Sequence, residues 1–313
     1  MCQKDKFIHL YLDSQVNELL KYNSNESTDI RFNASYIIDY VDELDENIIS
    51  NFNRVELRTP LMDVFKDIRR SGRTDINILH FLLNASVIKF QDYSQGQNFI
   101  ISTIITIFIK LYDEKKFTVD ISNLSIDKYK GVNIKEYVIK AVSWVLYDKL
   151  IVCMIPGYFG HSSSMIKSFS GINTIIESTL QLIEYIDKEL FFIISQYNML
   201  FISCTKWLPT LFAKVLPRVV VYKIWRMILH EGTHIIPIII VEMMQLKKNN
   251  LITYIKDIDD IDDIDICNLS DIISDTAFEN IIDIQEEFYK NINKTLREND
   301  ELIMHLLVKN NNE

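Results

Sequence analysis

One stretch constrains the fold of this chain more than any other. Residues 207–246 read WLPTLFAKVLPRVVVYKIWRMILHEGTHIIPIIIVEMMQL. Leu208, Leu211, Phe212, Val215 and Leu216 fall at i, i+3, i+4, i+7 and i+8, and Val221, Ile224, Trp225, Ile228 and Leu229 repeat the spacing. Each set makes one apolar stripe on a 3.6-residue helix. Pro217 separates the two, because it has no N–H to donate to the turn before it. Gly232 follows the second stripe, where helices commonly end on a left-handed residue. The expectation is two amphipathic helices, a sharp break and a third helix.

The rest of the chain suits the same architecture. With 313 residues it can bury a large core in one big domain or two lobes. Only 7 glycines and 5 prolines occur, and hairpin pairs such as Asn-Gly are absent, which favours helices over a sandwich or barrel. Richness in Ile, Asn, Lys and Asp looks like base-composition bias, so Ile carries little strand information. The net charge of −10 argues against a nucleic-acid partner. Cys2, Cys153, Cys204 and Cys267 form no C-x-x-C pair and read as free thiols of a reducing compartment. The first residues carry no apolar core of a secretory signal. The longest apolar run, residues 99–109, is too short to span a bilayer. A soluble cytoplasmic protein is expected.

Three regions follow in order. Residues 1–55 are acidic and Asn-rich, a weakly helical lead-in with helices near 13–22 and 35–49. Residues 56–155 form an N-terminal helical lobe. Pro60 opens a helix through LMDVFKDIRR, which Ser71-Gly72 interrupts. The next helix places Leu79, Leu82, Leu83, Val87 and Phe90 on one face. A turn at Gly96 then leads into an apolar helix from Phe99 to Tyr112. Residues 113–133 read as a loop or short helical turns, and 134–155 as a buried helix holding Trp144. PGYFGHSSS, from Pro156, marks a boundary. Residues 156–313 form a C-terminal helical lobe. Within it LITYIKDIDDIDDIDI alternates Ile with Asp, and is read as a loop or irregular helix rather than a strand.

His230-Glu231-Gly232-Thr233-His234 spells H-E-x-x-H. That pattern holds zinc when both imidazoles share one unbroken helix face. Here Gly232 lies between them, at about 1 kcal/mol relative to Ala. Pro237 in a continuous helix would clash with the Thr233 carbonyl, at roughly 3 kcal/mol. The expectation is that His230 closes one helix and His234 opens the next, with no metal bound. A zinc hydrolase stays as a remote alternative.

The helix–break–helix segment resembles the C-terminal signature of the TBC-domain Rab GTPase-activating proteins. Trp207, Phe212, Pro217, Ile224, Trp225, Glu231 and Gly232 stand in that family's order and spacing. Upstream, Val64-Phe65-Lys66-Asp67-Ile68-Arg69-Arg70 is similar to its I-x-x-D-x-x-R motif, and Tyr93-Ser94-Gln95-Gly96 to its Y-x-Q-G motif. The resemblance covers about residues 60–290. It implies an all-α, TBC-like helical domain of two lobes that acts in vesicle trafficking. It also implies a Rab-type small GTPase as partner, with GTP and Mg²⁺ belonging to that partner and no cofactor of the chain's own. Arg70 would enter the partner's nucleotide site as an arginine finger, and Gln95 would orient the attacking water. Asp67, Tyr93 and Gly96 would support them, Asp67 by orienting Arg70 or its loop, and Tyr93 by packing. Arg73-Thr74 offers a second register for the finger, against the D-x-x-R spacing that selects Arg70.

The chemistry fits the residue types. Arginine stays charged and presents a planar fork suited to phosphate. Glutamine donates and accepts at once. Two departures stand out. Arg226 occupies a position where the family usually has Asp, and no family tryptophan segment is recognisable in residues 1–55. Both motivate an alternative, a catalytically impaired TBC-like scaffold that binds a GTPase or other trafficking partner. No lipidation motif is evident, so peripheral association with endomembranes would come through partners.

Overall fold

A computed structural model of the chain describes residues 3–21, 30–71, 75–91, 93–124, 130–152, 170–196, 198–256, 278 and 281–312. The fold is all-α, with one short pair of strands. Two compact units divide at Val152 and Cys153.

Among its described residues the first unit holds six α-helices: α1 (Gln3–Lys21), α2 (Ala34–Asn51), α3 (Arg58–Ser71), α4 (Ile76–Phe90), α5 (Gln97–Asp113) and α6 (Ile134–Val152). Helix α6 is its axis and packs against α1, α2, α4 and α5. Residues 138, 139 and 141–148 are all buried, so α6 is covered around most of its circumference, as a central helix must be, and its buried Asp148 is paired with Lys89. The described residues of the N-terminal lead-in pack into the core of this unit. Leu12 and Val16 of α1 and Ile37 and Ile38 of α2 are fully buried, and both helices run longer than their periodicity suggested. Asn33 caps α2, its Oδ1 accepting from the Ser35 N–H at 2.9 Å. The polar stretch after α5 contains β2 (Thr118–Asp120), which pairs in parallel with β1 (Arg31–Asn33). Phe32 and Phe117 meet edge to face beside this pair, with ring centroids 5.3 Å apart.

The second unit holds α7 (Ser170–Ile186), α8 (Lys188–Gln196), α9 (Met199–Trp207), α10 (Arg218–Glu231), α11 (Ile235–Lys256) and α12 (Gln285–Asn312). Helix α7 packs against α8, α9, α11 and α12. The stretches 153–169 and 257–277, which include the glycine-rich boundary and the Ile-Asp alternation, lie outside the described residues.

The first of the two expected amphipathic helices does not form. Residues 208–210 make a 3-10 turn, and turns continue to Leu216. Leu211 (φ 45°) and Phe212 (φ 66°) are both left-handed. Such a conformation costs an L-residue about 1–2 kcal/mol. Burying a leucine or phenylalanine side chain contributes about 1.5–3 kcal/mol, which offsets it, and both are fully buried. The Phe212 N–H closes this turn on the Trp207 carbonyl at 2.9 Å. The Trp225 indole N–H donates to the Leu211 carbonyl at 3.0 Å, fastening α10 to the turn. Helical spacing of apolar residues here marks a buried irregular segment, with Pro209 and Pro217 interrupting the backbone ladder.

Candidate functional site

The site is built where α3 meets the turn between α4 and α5. One face of α3 is buried through Val64, Asp67 and Ile68, at i, i+3 and i+4. A carboxylate on that face needs a donor, since a buried charge without one is costly. Tyr93 supplies it: its O–H donates to Asp67 Oδ2 at 2.6 Å, in the range of a charge-assisted bond. Tyr93 is itself buried, and burial first, then the Asp67 bond, pushes its phenol above the usual range. The family resemblance implies a packing role for Tyr93; the geometry shows a hydrogen bond that ties the turn to α3. Arg70 lies in the last turn of α3, three residues past Asp67. Arg73, the alternative register, lies outside the described residues.

The turn itself is pinned on both sides. Helix α4 ends where Gln91 turns left-handed (φ 56°). The Gln97 N–H then bonds the Ser94 carbonyl at 3.2 Å, and Gly96 opens α5 at φ 113°. That dihedral suits glycine, which lacks the Cβ that disfavours it elsewhere. The Gly96 carbonyl accepts from the Phe99 N–H at 3.0 Å. Beyond it, Gln97 is buried, and its Oε1 takes a long bond from Ser86 Oγ at 3.5 Å. Ser86 in turn meets the Tyr147 hydroxyl at 3.0 Å, deep against α6. Gln95 is therefore exposed on a short turn between two buried neighbours, Tyr93 and Gln97. The Gln97–Ser86–Tyr147 chain leaves no signature in the sequence. No spacing rule links residues 86, 97 and 147; only the near-total apolarity around two lone hydroxyls hinted at buried partners.

The exposed side of the same region is apolar and charged together. Met62 and Phe65 on α3 and Phe99 on α5 are exposed. Lys66 pairs with Asp63 at 2.9 Å in solvent, a contact worth little to stability. An exposed amide carrier on a rigid turn, an arginine-bearing helix end tied to it, and nearby exposed apolar side chains suit contact with another macromolecule better than enclosure of a small substrate.

The H-E-x-x-H stretch has no such geometry. Helix α10 ends at Glu231 and α11 begins at Ile235, with Pro237 in its first turn. Between them Gly232 adopts φ 98° and ψ −178°, a region open essentially to glycine alone. His230 contacts its neighbour Glu231 at 2.8 Å, while His234 lies 3.5 Å from Asp300. His230 sits in the last turn of α10 and His234 in the turn before α11, so no single helix face presents both. Gly232 is not the αL cap expected, but its N–H still closes α10 on the Ile228 carbonyl at 2.8 Å.

Among the described residues no helix is long and apolar enough to cross a membrane. The family sequence model described as Rab-GTPase-TBC domain matches residues 17–252. No curated protein matches the chain. Among solved structures, the Ypt/Rab-GAP domain of Gyp1p is similar in fold, with a TM-score of 0.59 at 14% identity. That match covers 86% of this chain and 82% of the other.

Proposed function

The chain belongs to the Rab-GTPase-TBC domain family, and from that premise we propose that it is a GTPase-activating protein for Rab-type small GTPases. It supplies Arg70 and Gln95 in trans. The guanidinium of Arg70 offsets the charge that grows on the phosphoryl oxygens in transfer. Such a finger contributes about 10³–10⁵ in rate, or roughly 4–7 kcal/mol of barrier. Gln95 accepts from the attacking water and donates to the partner's backbone, which fixes the line of attack. GTP and Mg²⁺ come with the partner.

The observation that carries this reading is the Tyr93–Asp67 bond, which couples the turn bearing Gln95 to the helix bearing Arg70. Two groups that act on one phosphate must keep their spacing, because small misplacements lose large factors in rate. Asp67 and Tyr93 are then positioning residues, and Gly96 provides the backbone that turns Gln95 outward. The activator works from the cytoplasm, at endomembranes reached through its partners.

The test is GTP hydrolysis by a panel of Rab-type GTPases with and without the protein, at catalytic amounts. Stimulation of at least one member supports the proposal. A second reading, a scaffold that binds a GTPase without activating it, draws on Arg226, which stands in α10 where the family usually carries Asp. Tight binding by a panel member with no rate stimulation selects it.

A further inference from the structure

We propose that the groove between α10 and α12 is a binding site for a compact, multiply phosphorylated anion. The chain carries a net charge of −10, yet this one groove gathers four cations: Lys223 from α10 and Lys290, Lys294 and Arg297 from α12. On α12 the positions 290, 293, 294 and 297 fall at i, i+3, i+4 and i+7, so one face presents Lys, Asn, Lys and Arg in succession. These four α12 side chains are exposed, Lys223 is half-buried, and each is a hydrogen-bond donor. The groove is open to solvent and has a volume of about 620 Å³, within the size of small-ligand sites.

Two features separate this groove from an ordinary solvated helix face. Lys223 is positioned: its ammonium lies 3.7 Å from the centre of the Tyr289 ring and 3.2 Å from Glu286. Its one carboxylate partner is thereby used, and a neutral phenol forms the floor. Lys290 and Arg297 make no ion pair among the described residues, and Lys294 acts only at a distance on Glu242. Like charges held four and seven residues apart repel, so an arrangement of unneutralised cations gains from a polyanion between them. Lys223 adds a fourth cation from across the groove, facing the row on α12, and cations on both walls favour a compact cluster of phosphates over an extended acidic peptide lying along α12 alone. Glu298 also lines the groove and sets the limit: a single carboxylate or one phosphate gains little over it, whereas several phosphomonoesters do. Arg297 adds the planar fork that takes two phosphate oxygens at once.

The same chemistry is borne by a soluble inositol polyphosphate and by a phosphorylated lipid headgroup, and the experiment separates them. Full-length protein is titrated with inositol hexakisphosphate by calorimetry. It is also sedimented with phosphatidylcholine vesicles containing phosphatidylinositol bisphosphate, and with vesicles matched in charge by phosphatidylserine. Saturable binding of the soluble probe assigns a free ligand. Binding to the bisphosphate vesicles above the phosphatidylserine control, with weak binding of the soluble probe, assigns a headgroup. In either case Lys290→Glu with Arg297→Glu weakens binding by roughly tenfold or more, and Lys110→Glu with Lys115→Glu, which changes net charge equally in the first unit, leaves it unchanged. Lys290→Arg retains binding. The proposal is overturned if neither probe binds saturably, if the two double variants lose binding equally, or if a polyglutamate peptide binds while both phosphate probes do not.

Discussion

Replacing Tyr93 by Phe removes one hydroxyl and keeps the ring. The lost bond is the 2.6 Å donation to Asp67, made between two buried side chains. Leaving a buried acceptor short of a donor costs about 1–3 kcal/mol, more for a charged one. Asp67 keeps other interactions, which holds the expectation near ~2 kcal/mol. For a domain of this size each kcal/mol moves the midpoint by about 2–4 °C, so the first unit should melt roughly 4–8 °C lower. Asp67→Ala completes a double-mutant cycle. The pair should couple by about 0.5–3 kcal/mol, the double variant losing less than the sum of the singles. High pH gives an independent readout. Burial raises the phenols of Tyr40, Tyr93 and Tyr147 above their ordinary value of 10.0. A raised folded-state pKa contributes stability that is complete below pH 10 and is lost as pH rises above it. The fall should be about 1.4 kcal/mol per pH unit for each phenol, and Tyr93→Phe should remove one such share. Thermal and urea unfolding at neutral pH and above pH 10 check both. A variant within about 0.5 kcal/mol of the parent, with an additive cycle, would refute the reasoning.

Other substitutions test neighbouring links. Gly96→Ala places a Cβ at φ 113°, and should destabilise by about 1–3 kcal/mol while lowering GTPase activation more than it lowers GTPase binding; equilibrium unfolding and a binding titration separate the two effects. Trp225→Phe leaves the buried Leu211 carbonyl without its indole donor, and should cost the second unit about 2–3 kcal/mol in urea unfolding, with no direct effect on the chemistry of Arg70 and Gln95.

Much of this was legible along the chain. Pro60, Gly96, Pro217 and Gly232 each marked a real break, because proline and glycine act on the backbone regardless of tertiary context. The buried helices were visible as apolar runs. The break between His230 and His234 followed from local sterics alone. What failed was periodicity without an arbiter. Leu208 to Leu216 carry helical spacing, yet fold as turns with two left-handed residues, since burial and the Trp225 bond outweigh local preference. The parallel pairing of residues 31–33 with 118–120 joins segments far apart in sequence, and three-residue strands leave almost no pattern. At the site, Arg70, Gln95, Asp67, Tyr93 and Gly96 were reached only through the family resemblance that their motifs carry. The bond between Asp67 and Tyr93 joins residues 26 positions apart and needed the fold to be seen.

The central claim is that Arg70 and Gln95 act together on a partner's GTP. Single-turnover hydrolysis by a responsive Rab-type GTPase measures it directly, with the parent protein, Arg70→Lys, Gln95→Ala and the double variant compared at saturating concentration. The account predicts that Arg70→Lys loses about 10³-fold or more of the stimulated rate. Gln95→Ala should lose a comparable share, and the double variant little beyond the worse single, because the two serve one transition state. All three should still bind the GTPase. Stimulation that survives at the parental rate in both single variants would contradict it.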